Sequence, residues 1–205
     1  MRNQLLIVLL SLFITSCGKT PIEPEIIKVH LDDYFPLSIG YWWKYQTASG
    51  SLVGTMAITK KARFGDHEYF GRAWINETDT SDYEYFRSDS AGRVFTYDFE
   101  LGDQLIYDFT TEVGKYWEFP SKIGGGVGPY HITIESASDT VLTSKWAFYN
   151  CLRISFDVPN MIDEEHWQWF VKGVGLVKWS FWGGKMKDGE WVNERILIDT
   201  NLIDP

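Results

Sequence analysis

The chain has 205 residues, of which 44% are hydrophobic and 23% are charged, as in an ordinary globular protein and unlike a disordered one. Its formal net charge of -9 at pH 7 would repel nucleic-acid phosphates and anionic membrane surfaces. The composition therefore disfavours nucleic-acid binding and any membrane attachment through basic residues. Aromatic residues are unusually frequent, with ten Trp, eleven Tyr and thirteen Phe, and a chain of this length can bury a substantial core in one domain.

The amino terminus has the pattern of a secretion signal. Arg2 precedes an apolar run at residues 5–14 that only Ser11 interrupts. The run is too short to cross a bilayer, which takes about 20 residues, but it suits the apolar region of a signal peptide. Residues 14–17, Ile-Thr-Ser-Cys, follow at once and resemble the lipobox of bacterial lipoproteins. The resemblance implies transfer of a diacylglyceryl group to the Cys17 thiol, cleavage before Cys17 and acylation of the new amino group.

The lipobox divides the chain into three predicted parts. Residues 1–16 are the lipoprotein signal peptide, residues 17–32 the lipidated amino terminus and linker, and residues 33–205 a β-rich domain. Two or three acyl chains on Cys17 would anchor the protein stably, since each buried CH₂ contributes about 0.8 kcal/mol. The enteric lipoprotein pattern marks inner-membrane retention by an Asp at the position that Gly18 occupies here. We therefore expect the outer membrane, on its periplasmic or surface face; an ordinary signal peptide with an incidental cysteine is the alternative.

Beyond residue 32, short segments of alternating apolar and polar residues indicate strands. Residues 146–158 alternate most clearly, with Phe148, Leu152, Ile154 and Phe156 on the apolar parity, Cys151 on the opposite parity and Asn150 as the exception. The other predicted strands are residues 41–46, 56–60, 68–75, 83–87, 93–99, 104–109, 130–136, 167–172, 174–181 and 191–199. Turn-forming residues separate these segments at short intervals, as in antiparallel sandwiches and barrels. We expect a single all-β domain, either an antiparallel β-sandwich or a strongly curved sheet that forms a partial barrel.

Three blocks of the chain resemble a broad group of uncharacterised bacterial lipoproteins. Residues 34–45 resemble the opening YFPL..G..W.Y block of the group, residues 147–154 its G.F.NCL.I block, and residues 173–178 its GVGLVK block. The chain departs from the pattern at Ala147, where the group has Gly, and at Lys172, where it often has Pro. The resemblance implies a secreted antiparallel β architecture and implies no activity.

The sequence contains no motif that identifies an enzyme or a cofactor site. Its four histidines lack the spacing of metal ligands, there is no Gly-x-Ser-x-Gly elbow, and Cys151 is interpreted as a structural thiol in mid-strand. Residues 163–166, Asp-Glu-Glu-His, could bind a cation, but a solvated acidic turn is the simpler interpretation. The glycine-rich segments 124–128 and 173–175 lack the following helix that a phosphate-binding loop needs. We expect a non-enzymatic protein without a metal or cofactor. An envelope hydrolase is the third alternative, since a carboxylate pair leaves no signature in the spacing.

Tryptophans near the carboxy terminus are the candidate binding residues. Trp167, Trp169, Trp179 and Trp182 lie on two neighbouring predicted strands, and pairing of these strands would bring the rings within cross-strand reach. Aromatic rings on a sheet can stack on sugars or hold an apolar ligand, whereas packing in the core is the alternative. We therefore expect a carbohydrate, a lipid or an envelope protein as partner. The main alternative is a structural or assembly lipoprotein without a small-molecule ligand.

The lipobox interpretation predicts the fate of Cys17. In a bacterial host, Cys17→Ser should leave an unlipidated precursor that is not cleaved at this site, because the thiol is the acceptor of the diacylglyceryl group. A fatty-acid probe should label the wild-type protein and a Cys151→Ser control equally, and should not label Cys17→Ser. Absence of label on the wild type would refute the lipid anchor.

Overall fold

The structure is a computed structural model that describes residues 33–76, 80–120, 128–161, 165–181, 186–187, 190–191 and 193–203. The predicted signal peptide, Cys17 and the linker lie outside the described residues. No helix in the part of the chain that is described is long and apolar enough to span a membrane. The strands, in chain order, are β1 (Trp42–Thr47), β2 (Leu52–Phe64), β3 (His67–Ile75), β4 (Glu84–Ser88), β5 (Arg93–Asp98), β6 (Gly102–Asp108), β7 (Tyr116–Phe119), β8 (Tyr130–Leu142), β9 (Ala147–Asp157), β10 (His166–Val171), β11 (Gly175–Phe181), β12 (Met186–Lys187), β13 (Glu190–Trp191) and β14 (Glu194–Thr200).

Twelve of these strands form one antiparallel sheet, in the order β6-β5-β4-β3-β2-β1-β14-β11-β10-β9-β8-β7, while β12 and β13 pair separately. The strands β1 to β6 follow each other in sequence, and so do β7 to β11, because hairpins join neighbouring antiparallel strands. The strand β14 lies between these two runs and pairs with β1 on one side and with β11 on the other. The last strand of the described chain therefore joins the two halves into one sheet.

The sheet curves until its two edge strands approach each other. The indole Nε1–H of Trp117 in β7 donates a hydrogen bond to the carbonyl oxygen of Ile106 in β6, with 3.3 Å between the nitrogen and the oxygen. Register shifts interrupt several strand pairs, including β8 with β9 and β2 with β3, and such bulges bend and twist a sheet. The predicted all-β fold is confirmed, and of the two architectures expected from the sequence the molecule adopts the strongly curved sheet, nearly closed into a barrel.

Phe35, just before β1, fills the concave side of the sheet. Its ring lies 5.2 Å from the ring of Phe86 in β4, 5.3 Å from Tyr107 in β6 and 6.4 Å from Phe170 in β10. In the strand order β10 lies far from both β4 and β6, so its Phe170 can meet the other two rings around Phe35 only inside the curvature. Aromatic pairs of this kind contribute about 0.5–1.5 kcal/mol beyond burial.

The first and third of the sequence blocks contact each other. The indole Nε1–H of Trp43 donates to the carbonyl oxygen of Val174 at 2.6 Å, and the Tyr45 hydroxyl donates to that of Leu176 at 2.7 Å. Gly175 has a φ of +89°, and a side chain there would lie 3.3 Å from Cδ of Pro36. Residues 173–178 therefore hold the start of the sheet against its carboxy-terminal half, as expected of a structural segment.

The prediction that Cys151 lies opposite the face of Phe148, Leu152, Ile154 and Phe156 is wrong for Phe148, which packs in one cluster with Cys151, whereas the other three belong to a second cluster. Asn150, between Phe148 and Cys151, has a φ of +55° and breaks the alternation of β9 there, and Cys151 is buried. The register with β8 is also irregular there. Cys151 packs in one cluster with Val141, Trp146 and Phe148 and is a free thiol, as expected.

The burial of Cys151 predicts that its thiol reacts slowly with alkylating agents. Desolvation raises the pKa of Cys151 to about 11, so the nucleophilic thiolate is scarce near neutral pH, and the packed side chains exclude reagents. The test uses the mature Cys17→Ser chain, which begins at residue 17 and so lacks the signal peptide. Iodoacetamide at about pH 8 should alkylate Cys151 in this chain far more slowly in the native state than in denaturant, as followed by mass spectrometry. Equal rates in the two states would contradict the buried position.

Candidate functional site

The structure places the candidate tryptophans on two faces of the sheet. The strands β10 and β11 form the predicted hairpin, in which Trp167 pairs with Ser180, Trp169 with Lys178, and Gln168 with Trp179. Since directly paired residues of antiparallel strands share a face, Trp167 and Trp169 lie on the face opposite to Trp179. The expectation that these three rings come together is wrong, because the register of the hairpin puts them out of phase. Trp182 lies outside the described residues.

Trp179 lies on the concave face and is part of the core. It is 7% exposed, and its ring centroid lies 5.1 Å from that of Tyr45 and 5.7 Å from that of Trp74. Trp169 on the opposite face is held by polar partners. Its indole Nε1–H donates to Oδ2 of Asp139 at 2.9 Å, and Nζ of Lys178 lies 4.7 Å from its ring centroid. Both rings therefore have structural roles in the sheet.

A cleft of about 260 Å³ opens on the concave side beside Trp179, and we call it the aromatic cleft. Its residues come from seven strands on both halves of the sheet, so the cleft exists only because the sheet curves. The rings that line it are those of Trp74, Tyr107, Trp179 and Phe181. Its polar and charged lining residues are Arg72, Glu84, His166, Gln168 and Arg195. Polar and aromatic side chains therefore contribute about equally to its walls.

Arg72 is the deeper of the two arginines. Its Nη2 lies 2.8 Å from Oε2 of Glu84, and its guanidinium carbon lies 4.3 Å from the ring centroid of Phe86. Burial alone would lower the pKa of Arg72, but the pKa is raised, because Glu84, Tyr107 and Tyr45 together outweigh burial. The Nε atom of Arg72 is buried and has no hydrogen-bond partner in the structure. Glu84 therefore balances the charge of Arg72, while the Nε donor of Arg72 stays unused.

Arg195 in β14 lies beside the rings at the opening. Its guanidinium carbon is 5.0 Å from the ring centroid of Trp179 and 5.7 Å from that of Phe181. Burial lowers its pKa, and no carboxylate among the described residues pairs with it. Arginine nevertheless keeps its charge at neutral pH. The two arginines and the single carboxylate of Glu84 make this lining net positive in a chain whose overall charge is -9.

Tyr107 and Gln168 join opposite walls of the cleft. The Tyr107 hydroxyl donates to Oε1 of Gln168 at 2.8 Å, linking β6 to β10 across the concave space. Burial raises the pKa of Tyr107, so the phenol stays protonated and remains a donor. This hydrogen bond fixes the amide of Gln168 and keeps the two walls at a set distance.

Trp167 lines a separate depression on the opposite face, which we call the outer groove. Its volume is about 320 Å³, and its side chains include Tyr116, His131, Glu135 and Glu165. The Tyr116 ring stacks on His131 with 4.4 Å between centroids. Of the acidic segment 163–166, only Glu165 and His166 are described, and within the described ranges no group of three His, Cys, Asp or Glu could hold a metal ion.

The arginines of the cleft were not among the residues chosen from the sequence, although the pattern contained a signal. That signal concerns Arg72, which shares a parity with Phe70 and Trp74, whereas the parity of Arg195 also contains Asp199 and gave no such signal. A charged residue on the apolar parity of a strand is expensive to bury. Such a residue is therefore a candidate for a functional position.

The placement of the tryptophans predicts different costs of truncation. Trp179→Ala should lower the free energy of unfolding by about 3–5 kcal/mol, because a fully packed ring is lost. Trp167→Ala should cost only about 1 kcal/mol, because that side chain is half-exposed at the outer groove. Denaturant midpoints of the two variants test this, and equal losses would contradict the assignment of the faces.

No family model matches the chain, and no curated protein matches its sequence. Among solved structures, it is similar to a "putative exported protein with YmcC-like fold" from Bacteroides fragilis, with 13% identity and a TM-score of 0.47, over 83% of this chain and 99% of that one. It is also similar to a "putative lipoprotein" from Parabacteroides distasonis, with 12% identity and a TM-score of 0.44, over the same shares of the two chains. Both names are of the class that the sequence predicts for this chain, but at TM-scores below 0.5 neither likeness carries a conclusion about it.

Proposed function

We propose that this protein is a lipid-anchored binding protein of the bacterial cell envelope, without enzymatic activity, that holds a small amphipathic ligand in the aromatic cleft. The observation that carries the proposal is the cleft itself. It combines four aromatic rings with two arginines on the concave side of a nearly closed sheet. A purely structural protein would have no need to keep a positive charge beside those rings.

The dimensions of the cleft limit the ligand. A volume of about 260 Å³ lies at the small end of ligand pockets. A small ring system or a short acyl segment would fit against Trp179 and Phe181, and any longer part of the ligand would extend into solvent. The aromatic walls favour an apolar body, and the polar side chains favour a head group.

The predicted anchor on Cys17 suits this task. Residues 17–32 would tether the domain to the outer membrane, where amphipathic molecules are abundant, without using basic residues. The negative overall charge would keep the domain from lying flat on an anionic surface. A carbohydrate bound in the outer groove is the second possibility, because Tyr116 and Trp167 there offer rings for stacking beside carboxylates.

Phe181 offers a test at the mouth of the cleft. We expect N-phenylnaphthylamine, a neutral apolar dye, to bind the mature Cys17→Ser chain with enhanced fluorescence. Phe181→Ala should weaken this binding about three- to tenfold, since one aromatic contact contributes about 0.5–1.5 kcal/mol. Phe181 is 38% exposed, so the loss of stability should be small.

Phe99→Ala is the matched control, because Phe99 is 75% exposed at the β5–β6 turn and lines no part of the cleft. This variant should bind the dye as the wild type does. No binding by the wild type, or equal binding by both variants, would refute the cleft as an apolar site. Binding of a glycan that is lost in Trp167→Ala would assign the function to the outer groove instead.

A further inference from the structure

We propose that the ligand of the aromatic cleft carries an anionic group, a carboxylate or a phosphoryl group, and that Arg195 binds it. This inference rests on the proposed function of the cleft and goes further by naming the chemical class of its ligand.

The cleft differs in charge from the chain as a whole. Carboxylates outnumber basic residues in the chain by 28 to 19, yet the cleft is lined by two arginines and by Glu84 as its one carboxylate among the described residues. Glu84 already pairs with Arg72 at 2.8 Å. The charge of Arg195 is therefore left uncompensated within the described part of the cleft.

A second feature of the cleft is the environment of Arg195. Its guanidinium lies against the rings of Trp179 and Phe181, at 5.0 and 5.7 Å from their centroids. Contact with a ring face stabilises the cation but occupies none of its N–H groups as donors to an acceptor atom. A partly desolvated guanidinium without a counter-ion is unfavourable, and an anion from the ligand would repay that cost.

A third feature is the buried donor of Arg72. Its Nε–H has no acceptor in the structure, and buried donors are nearly always paired. Arg72 and Arg195 line the same cleft from β3 and β14, on the two sides of β1 and β2. Two guanidiniums that line one cleft, of which Arg195 has no carboxylate partner among the described residues, are suited to a carboxylate or a phosphoryl group, which accept several hydrogen bonds at once.

The test compares two dyes with the same aromatic body. Anilinonaphthalene sulfonate carries an anionic group, and N-phenylnaphthylamine does not. In the mature Cys17→Ser chain, we expect Arg195→Gln to weaken binding of the sulfonate about tenfold or more, since a hydrogen bond to a charged group contributes at least that factor. Binding of the neutral dye should change less than about twofold, because its contacts with the rings remain.

Arg63→Gln is the matched control, because it removes the same charge from an exposed position at the far end of β2. It should alter neither dye. If both dyes bind the wild type and Arg195→Gln affects them equally, the anionic class is wrong while the cleft remains a binding site. If neither dye binds the wild type, the proposed function itself fails.

Two further measurements keep the test decisive if Arg195→Gln does not fold. In the wild type, raising the salt concentration should weaken binding of the sulfonate and leave the neutral dye unchanged; equal salt dependence would overturn the inference. Displacement of bound sulfonate by octanoate, by octyl phosphate or by octanol then separates the sources of the anion. If octanol is the best competitor, the inference of an anionic ligand is refuted. Preference for octanoate identifies a carboxylic acid as the ligand, and preference for octyl phosphate identifies a phosphate-bearing lipid.

Discussion

The insertion of β14 between β1 and β11 is the constraint on which the rest of the molecule depends. Trp43 pairs with Thr200 across almost the whole length of the described chain, and Trp179 pairs with Arg195 on the other side of the same strand. Without β14, the runs β1 to β6 and β7 to β11 would be two separate sheets, each with another unpaired edge. The insertion makes one sheet wide enough to curve upon itself. It also places Arg195 beside Trp179, so the fold and the cleft both depend on the pairing of β14 with β11.

The curvature is then held from inside by groups of mixed character. Phe35 lies among rings from β4, β6 and β10, and the hydrogen bond from Tyr107 to Gln168 spans the same space. The rings supply most of the burial, whereas the hydrogen bond sets a specific distance between walls. Arg72 is costly to bury, and Glu84 pairs with it from a more exposed position, with 61% of its side chain accessible.

The strand pattern was largely predictable from the sequence, and the relation between faces was not. Alternation in residues 146–158 reflects a real strand, β9, because one face of it is buried along most of its length. The alternation failed at Asn150, because the positive φ of this residue breaks the pattern and Cys151 packs in the core with Phe148. The faces of Trp167 and Trp179 were unpredictable for a related reason. The alternation of residues shows which side chains share a face within one strand. Which residues of two strands share a face depends on the register of the hairpin, and here that register is set by a shift between Trp169 and Phe170. The cleft needed the closure of the whole sheet, which no local pattern contains.

In the proposed function, the charge distribution would give the cleft a selectivity that neither its rings nor its arginines would have alone. A surface with excess carboxylates repels phosphates and anionic headgroups at long range, although salt at physiological strength limits this to about 8 Å. At the cleft Arg195 is partly buried against the rings, and the attraction between a guanidinium and an anion is stronger there than at a fully exposed surface. A small inorganic anion gains that attraction but leaves the aromatic walls uncovered. An uncharged apolar molecule covers the walls but leaves Arg195 without a counter-ion. Only a molecule with both parts would satisfy both surfaces, so the proposed site would discriminate by the combination of charge and apolar area within one molecule.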